Sequence, residues 1–244
     1  MRIVVLAAAL VCAAAGPAGA QGQAQGRWYE GVFVNVNGLA QTSSRDVPVR
    51  GSFALYDEVA TFEGRREIGG GGVFDISAGL RDVWRDLAVS IGYSRFGDSS
   101  GVDITALVPD RLVPNSPHQQ VLTAGQLDHT ENAVHLSVVW FWPFIEKVDV
   151  AVSGGPSIFN ISQDTVTITE ANVESGTSTL TGINRTEGSD TAVGFNLGVD
   201  VTYMVTPRIG AGALLRYAGA SGEIAGVSVD VGGLQVGAGV RVRF

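Results

Sequence analysis

The segment VGFNLGVDVTY, residues 193–203, decides the fold. Its odd-numbered positions are all apolar or aromatic and end in Tyr203. Its even-numbered positions are glycine or polar residues, among them Asn196 and Asp200. Successive side chains of a β-strand point to opposite faces, so a period of two predicts a strand with one apolar and one polar face. The fold class then depends on how often this pattern recurs.

The same alternation recurs along most of the chain, and we find no convincing amphipathic helix. A segment of this kind is typical of a half-buried strand in an antiparallel sheet. We predict eight strands, near residues 29–41, 73–81, 87–94, 131–142, 148–158, 193–203, 209–217 and 234–244.

The connections between these strands alternate in length. Three are short turns, at 82–86, 143–147 and 205–207, and four are longer, at 42–72, 97–130, 162–190 and 218–230. Membrane β-barrels have tight turns on one side and longer loops on the other. An even number of strands then places both chain termini on the side of the short turns.

The composition indicates a protein that is not coated for water. The chain has 33 glycines in 244 residues, and Lys147 is its only lysine. No stretch after residue 20 is long and apolar enough for a membrane helix. A bilayer-spanning chain without such helices has to be a closed barrel, because every main-chain group needs an internal hydrogen-bond partner there. We therefore predict an all-β, closed antiparallel up-and-down transmembrane barrel of about eight strands.

The apolar face of each strand is expected to meet lipid. The polar face carries glycine, serine, asparagine and isolated charges, which suit the crowded lumen of a narrow barrel. Aromatic residues at strand ends form interfacial girdles in membrane barrels. The predicted girdle consists of Tyr93, Trp140, Trp142, Tyr203 and Tyr217.

The first twenty residues have the pattern of a signal peptide. Arg2 supplies a positive charge, an apolar run follows, and Ala18-Gly19-Ala20 forms a cleavage site. We assign residues 1–20 to the signal peptide and 21–244 to the barrel domain. The formal net charge of −8 argues against a nucleic-acid partner.

The last strand ends in VGAGVRVRF, residues 236–244, with apolar residues at every second position. This ending, together with the export signal and the alternating strands, resembles the outer-membrane β-barrel domain family, the small OmpA/OmpX-type barrels of Gram-negative bacteria. The resemblance implies an outer-membrane location, periplasmic termini and contact with outer-membrane lipid. It also implies that Val240, Val242 and Phe244 are read by the barrel-assembly machinery.

Charges on the predicted lumen face are expected to pair, since an unpaired charge is costly inside a narrow barrel. We expect the acids Asp75, Glu131 and Asp200 to lie against the arginines at 81, 216 and 241. The full predicted lumen network is Asp75, Arg81, Glu131, His135, Asp200, Arg216, Arg241 and Arg243.

Three functions remain open at this point, and a structural or surface-interaction role through the long loops is favoured. The segment 163–170 alternates threonines with Val166 and Ile168, so this hairpin is expected to offer a sheet edge to an extracellular partner. The second hypothesis is a narrow pore, which conflicts with the tight lumen of an eight-stranded barrel.

The third hypothesis is an outer-membrane lipid hydrolase that uses His135 and Ser137. Two residues apart on a strand, they share a face, as a base and a nucleophile require. The alternation turns both into the lumen, away from acyl chains, so we do not predict an enzyme. His118 and His129 lack a partner at metal-ligand spacing, and no metal or cofactor site is predicted.

Overall fold

The structure is a computed structural model that describes residues 31–55, 57–84, 86–110, 112–174, 177–224 and 227–244, with side chains at 143, 144, 169–178 and 181 left out. The predicted signal peptide, residues 1–20, lies outside the described residues. The residues that the structure describes include no helix that is long and apolar enough to cross a membrane.

Ten β-strands make up the described chain. They are β1 Val32–Gln41, β2 Arg45–Leu55, β3 Glu58–Ile68, β4 Gly71–Trp84, β5 Leu87–Val108, β6 His118–Ile145, β7 Val148–Glu174, β8 Thr177–Met204, β9 Ile209–Ile224 and β10 Val227–Arg243. All pairings between neighbouring strands are antiparallel.

Eight of the ten strands close into a ring, which confirms the predicted barrel. β1 pairs with β4, strands β4 to β10 pair in sequence, and β10 returns to β1. The closing pair runs in register from Phe33 opposite Arg243 to Gln41 opposite Gln235. The ring leaves no open sheet edge at the level of the barrel, as a membrane requires.

The four longer connections consist largely of β-structure, as expected only for the hairpin at 163–170. The connection at 42–72 contains the hairpin β2–β3, which pairs with β5 and stands outside the eight-strand ring. The other three are continuations of the barrel strands, with β6 and β8 each 28 residues long. Polar residues and glycines dominate these segments and weaken the alternation, so the sequence pattern did not predict strands there. In the structure, each hairpin nevertheless buries one apolar face.

The outward and inward faces of the barrel are as predicted. The side chains of Leu197 and Val236 are 57% and 44% exposed, whereas Asn196 and Arg241 are only 4% and 3% exposed. The polar face therefore lines the lumen, and the apolar face forms a belt around the barrel. An exposed apolar belt of this extent is unfavourable in water and matches the lipid-facing band of a membrane barrel.

Aromatic side chains border this belt at both ends. Trp140 and Trp142 stack on each other near the short turns, with ring centroids 6.5 Å apart. Near the opposite border, Tyr217 packs against Phe195, and Tyr93 donates a hydrogen bond to Asn132. The outward-facing aromatic residues that exceed 50% exposure are Phe74, Trp84, Trp140, Trp142, Phe195, Tyr203 and Phe244.

Two glycines make room for the bulky groups of the lumen. A Cβ at Gly79 would lie 2.5 Å from the ring of Phe33, and a Cβ at Gly212 would lie 2.7 Å from Nε of Arg241. Both glycines are on the inner face of neighbouring strands. The interior of an eight-stranded barrel is only just wide enough for its side chains, so a glycine beside a large side chain provides the space for it.

Beyond the belt, on the side of the long hairpins, the strands form a second folded layer. β2, β3 and the outer parts of β5 and β6 make a four-stranded sheet. Its apolar face packs on the β7–β8 hairpin through a buried cluster of Phe62, Val102, Ile104, Ala106, Val108, Ala124, Leu127, Val166, Ile168 and Leu180. We call this assembly of β2, β3, 97–108, 118–128 and the 164–187 hairpin the outer sandwich.

A charge placed on the belt should destabilise the barrel. Leu197→Arg is expected to lower the free energy of unfolding by about 2–4 kcal/mol, because its guanidinium would lie near the bilayer midplane. The matched control is Val121→Arg, at a side chain that is 67% exposed on the outer sandwich. Urea unfolding in liposomes measures both, and equal effects of the two changes would contradict the assignment of the belt.

Candidate functional site

The lumen is filled by layers of side chains rather than by an open channel. Its central layer is polar, and one end of it is built around Arg241. This arginine forms an ion pair with Asp200 and donates a hydrogen bond of 2.6 Å to Oδ1 of Asn37. The side chain of Arg241 is 3% exposed, so the ion pair lies away from bulk water.

A second ion pair continues this polar layer toward the long hairpins. Asn37 donates to Oδ1 of Asp75 at 2.7 Å, and Nη1 of Arg216 lies 2.7 Å from Oδ2 of the same carboxylate. Arg216 also donates to Oε1 of Gln235, whose amide donates in turn to Gln41. The buried Asp75, the half-buried Asp200 and the two buried arginines therefore form one connected and balanced network.

His135 lies beside this network in a cluster of hydroxyl and amide groups. Its Nε2 is 2.9 Å from Oγ of Ser94, and its Nδ1 is 2.7 Å from Oγ of Ser157. Ser137 donates instead to Oδ1 of Asn196, and Asn196 donates to Ser157. The structure therefore does not bring His135 and Ser137 together as a base and a nucleophile.

The lumen near the short turns closes with a charged cluster. Asp149 lies 2.6 Å from Nη2 of Arg243 and 3.8 Å from Nη2 of Arg81. The Arg81 guanidinium is 4.1 Å from the centroid of the Phe141 ring. Asp149 is absent from the predicted network, although its parity on β7 matches the lumen-facing Ala151 and would have indicated it.

Glu131 lies in a separate polar layer, near the base of the outer sandwich. It forms an ion pair with Arg45, accepts a hydrogen bond of 2.7 Å from the Gly232 amide, and lies 2.8 Å from Nε2 of His129. Glu131 and Arg81 do not meet, because the one lies above the central layer and the other below it. Sequence reasoning missed Arg45 and His129 because both fall in segments that we predicted to be loops.

His129 lies above the apolar belt, between strand positions 128 and 130 that carry polar residues. Burial lowers the pKa of His129 to about 4, and the nearby Arg45 adds to this effect. Nδ1 of the imidazole is 3.1 Å from Oε1 of Gln163. At neutral pH this histidine is therefore uncharged and acts as a hydrogen-bonding group.

Two apolar layers enclose the central polar layer. Toward the short turns, the layer consists of Phe33, Ala88, Val139 and Ala151, with Phe141 packed on it. Toward the outer sandwich, a larger cluster spans the lumen with Leu39, Val73, Phe96, Ala133, Phe159, Ile161, Ala192, Ala218 and Val231 among its members.

The cavity left inside the barrel is small. Its volume is about 70 Å³, and Asn37, Asp75, His135, Asp200 and Arg241 are among its lining residues. One water needs roughly 10–15 Å³ of such space, so the cavity holds a handful of waters. Among the described residues, no group of three or more His, Cys, Asp and Glu is placed to hold a metal ion.

No family model and no curated protein matches the chain. Solved structures that resemble it include Neisserial surface protein A, 18% identical over 88% of this chain and 97% of that one, with a TM-score of 0.48. The outer membrane protease OmpT from Escherichia coli is 9% identical over 89% and 98%, with a TM-score of 0.49.

A further structure is that of Ail, the attachment invasion locus protein of Yersinia pestis, in complex with the heparin analogue sucrose octasulfate. It is 14% identical over 87% of this chain and 99% of that one, with a TM-score of 0.37. These likenesses concern the general fold alone. The closed ring and the exposed apolar belt of this chain identify the fold without these comparisons, since both are features of outer-membrane-type barrels.

The fold is that of an outer-membrane β-barrel.

Within this outer-membrane barrel, the predicted girdle and assembly residues take the following places. Tyr203, Trp140 and Trp142 face outward near the short turns, and Tyr93 and Tyr217 lie at the opposite border of the belt. Val240, Val242 and Phe244 share the outward face at the end of the chain, with Val240 50% and Phe244 55% exposed.

Breaking the Arg241–Asp200 pair should destabilise the barrel strongly. Arg241→Met is expected to cost about 3–5 kcal/mol of unfolding free energy, because it leaves Asp200 partly buried without its counter-charge. The double variant with Asp200→Asn should recover part of that loss. Arg208→Met, in an exposed turn, is the control. Equal stability of all these variants in urea unfolding would show that the pair contributes nothing.

The lowered pKa of His129 predicts a loss of stability in acid. In the unfolded chain this histidine takes up a proton near its ordinary pKa of about 6.5. The folded state resists protonation down to about 4, so unfolding becomes easier as the pH falls from 6.5 toward 4. His129→Gln should flatten this part of the stability profile, whereas His118→Gln should leave it unchanged. A wild-type slope in the His129→Gln protein would contradict the prediction.

Proposed function

We propose that the protein is an outer-membrane surface protein in which the barrel is the anchor and the outer sandwich is a module for interaction with a partner. The observation that carries the proposal is the separate core of the outer sandwich. Its buried residues include Ile104 and Leu127, both 0% exposed. An anchor needs only short connections, so a folded apolar core outside the belt calls for a role of its own.

Hydrogen bonds hold the parts of the outer sandwich in a fixed arrangement. The buried Arg66 donates to main-chain oxygens of Leu127 and Asp128 and to Oγ of Ser100. At the far end, Gln120 exchanges two hydrogen bonds with the main chain of Leu180, at 2.8 and 3.1 Å. These contacts support a preorganised surface, which reduces the entropy cost of binding.

The two alternatives receive less support from the geometry. A pore requires a continuous polar path, but an apolar cluster with residues from all eight strands of the ring spans the lumen between the central cavity and the outer sandwich. A lipid hydrolase requires a reactive pair that reaches acyl chains, but Ser137 donates to Asn196 rather than to His135, and His135 is 3% exposed in the lumen. The proposal extends to export through residues 1–20 and to recognition of the Val240, Val242 and Phe244 pattern by the assembly machinery.

A variant without the outer sandwich tests the proposed role. Replacing 45–68, 98–128 and 164–187 by short turns removes the sandwich and leaves the eight paired strands of the belt. We expect this variant to remain a folded, heat-modifiable barrel and to lose the surface-binding phenotypes of the full protein in a deletion strain. Full retention of those phenotypes by the shortened barrel would contradict the proposal.

Measuring conductance in planar bilayers distinguishes a barrel that serves only as an anchor from a barrel that is a pore. The wild-type protein should be silent because the apolar cluster that includes Phe96, Phe159 and Ile161 spans the lumen toward the outer sandwich, whatever the state of the opposite end near the short turns. Single-channel events from correctly folded wild-type protein would favour the pore. Asp149→Asn serves as a control, since it changes a charge near that end without opening the apolar layer.

A further inference from the structure

An arginine without an ion-pair partner lies at the border of the apolar belt, on the side of the long hairpins. Arg95 follows Tyr93 by two positions on β5, so both side chains point outward. The Arg95 side chain is exposed, and among the described residues it forms no ion pair within 4.0 Å. A strand rises about 3.3 Å per residue and is tilted by about 40° in such barrels, so Arg95 lies about 5 Å beyond Tyr93 along the membrane normal. This places its guanidinium at the level of the lipid headgroups.

The outward face around Arg95 carries no balancing acid nearby. The residues directly opposite it in register are Phe74 on β4 and Asn132 on β6. In the described part of β5 and β6, the first acid on this face is Asp128, which lies opposite Ser99, four residues further from the belt. That separation is about 13 Å along the strand, more than the roughly 8 Å over which exposed charges act at physiological ionic strength. The positive charge of Arg95 is therefore available to an anion.

A second donor group lies beside the guanidinium. The hydroxyl of Tyr93 donates a hydrogen bond of 2.8 Å to Oδ1 of Asn132. This bond turns the oxygen of the carboxamide toward the tyrosine and leaves Nδ2 with its two hydrogens free to donate elsewhere. Since Asn132 and Arg95 are paired across β5 and β6, their Cβ atoms lie about 4.5–5.5 Å apart. The two side chains therefore present several N–H donors to the same space.

Apolar surface continues from these donors toward the middle of the bilayer. Phe74, Ile76 and Leu136 are 52%, 38% and 48% exposed, and they belong to the strands on either side of β5. An anion held by the donors is thus directly above a surface that suits hydrocarbon. A charged group joined to acyl chains, which is the chemistry of an anionic lipid, matches both parts of this surface.

We propose that Arg95 and Asn132 bind the phosphate group of a membrane lipid in the leaflet on the side of the long hairpins, with the acyl chains of that lipid along the apolar surface below. A guanidinium donates two parallel hydrogen bonds to phosphate oxygens, and the amide supplies a further one. Tyr93 is the positioning residue, since its hydroxyl orients the amide. This lipid site goes beyond the proposed role of the outer sandwich and does not depend on it.

Native mass spectrometry of the full, folded protein in detergent tests the site. The probe is dioleoyl phosphatidic acid, and the comparison lipid is dioleoylglycerol, which has the same acyl chains and no phosphate. We expect the barrel to retain one phosphatidic acid at a lipid concentration at which it retains no dioleoylglycerol. Equal retention of the two lipids would overturn the proposal, because apolar contact with the belt would then account for the binding.

A charge variant assigns the binding to Arg95. Arg95→Gln should weaken the binding of phosphatidic acid by about fivefold, which corresponds to about 1 kcal/mol for one arginine at a lipid surface. The matched control is Arg65→Gln, which removes the same charge from an exposed position on the outer sandwich and should bind like the wild type. Heat-modifiability on gels shows that both variants are folded. Undiminished binding to Arg95→Gln, or an equal loss in Arg65→Gln, would refute the assignment.

A hydroxyl variant tests the orientation of the Asn132 amide. Tyr93→Phe keeps the ring at the border of the belt but frees the carboxamide to rotate. The preference for phosphatidic acid over dioleoylglycerol should fall by roughly two- to tenfold, the range expected for one hydrogen bond. Tyr203→Phe, at the girdle near the short turns, should keep the full preference. A wild-type preference in Tyr93→Phe would remove Tyr93 and Asn132 from the site.

Inorganic phosphate distinguishes a lipid from a soluble anion. At about 10 mM and constant ionic strength, it should leave the bound phosphatidic acid in place, because free phosphate gains nothing from the apolar surface. Complete displacement by inorganic phosphate would show that the site binds a soluble anion, and the lipid proposal would fail.

Discussion

The pairing of β1 with β10 closes the sheet on itself, and every other feature of the molecule depends on that closure. In a bilayer, an unpaired main-chain group has no water to bind, so an open edge at the level of the belt would be prohibitively costly. Closure removes both edges at once. It also fixes which face of each strand looks outward, since nine consecutive residue pairs from Phe33 to Gln41 lock the register.

A closed ring of eight strands leaves little space inside, and this shortage of space shapes the lumen. The large side chains of Phe33 and Arg241 are accommodated because the neighbouring strand has a glycine beside each of them. The charges that do enter are paired, Arg216 with Asp75 and Arg241 with Asp200. The apolar cluster above this network fills the lumen toward the outer sandwich, which suits an anchor better than a channel.

The outer sandwich is formed largely by continuations of the same strands, but its strands are not required to close into a ring. Beyond the belt the strands meet water, so they no longer need to form a closed ring. The hairpins separate there and pack face to face, with Ile104, Leu127 and Val166 among the buried residues between them. Separation leaves free edges, since within the described residues β2 pairs only with β3, and β7 beyond Gln163 pairs only with β8.

The sequence by itself determined the strand pattern of the belt, the outward direction of its apolar face and the short turns. These are local properties, because the period of two in a segment such as 193–203 needs no information about distant residues. It also indicated that Arg216 and Arg241 face the lumen. Apart from the hairpin at 163–170, it did not indicate that the long connections are strands, since polar residues and glycines weaken their alternation.

Only the tertiary structure decided which groups meet. Asp149 lies against Arg81 and Arg243, and Glu131 lies against Arg45, because the stagger of the strands sets their height in the barrel. The positions of two residues along the chain do not reveal this height without the registers of all intervening pairs. The core of the outer sandwich is likewise a product of packing, since it joins residues far apart in sequence, such as Phe62, Leu127 and Leu180.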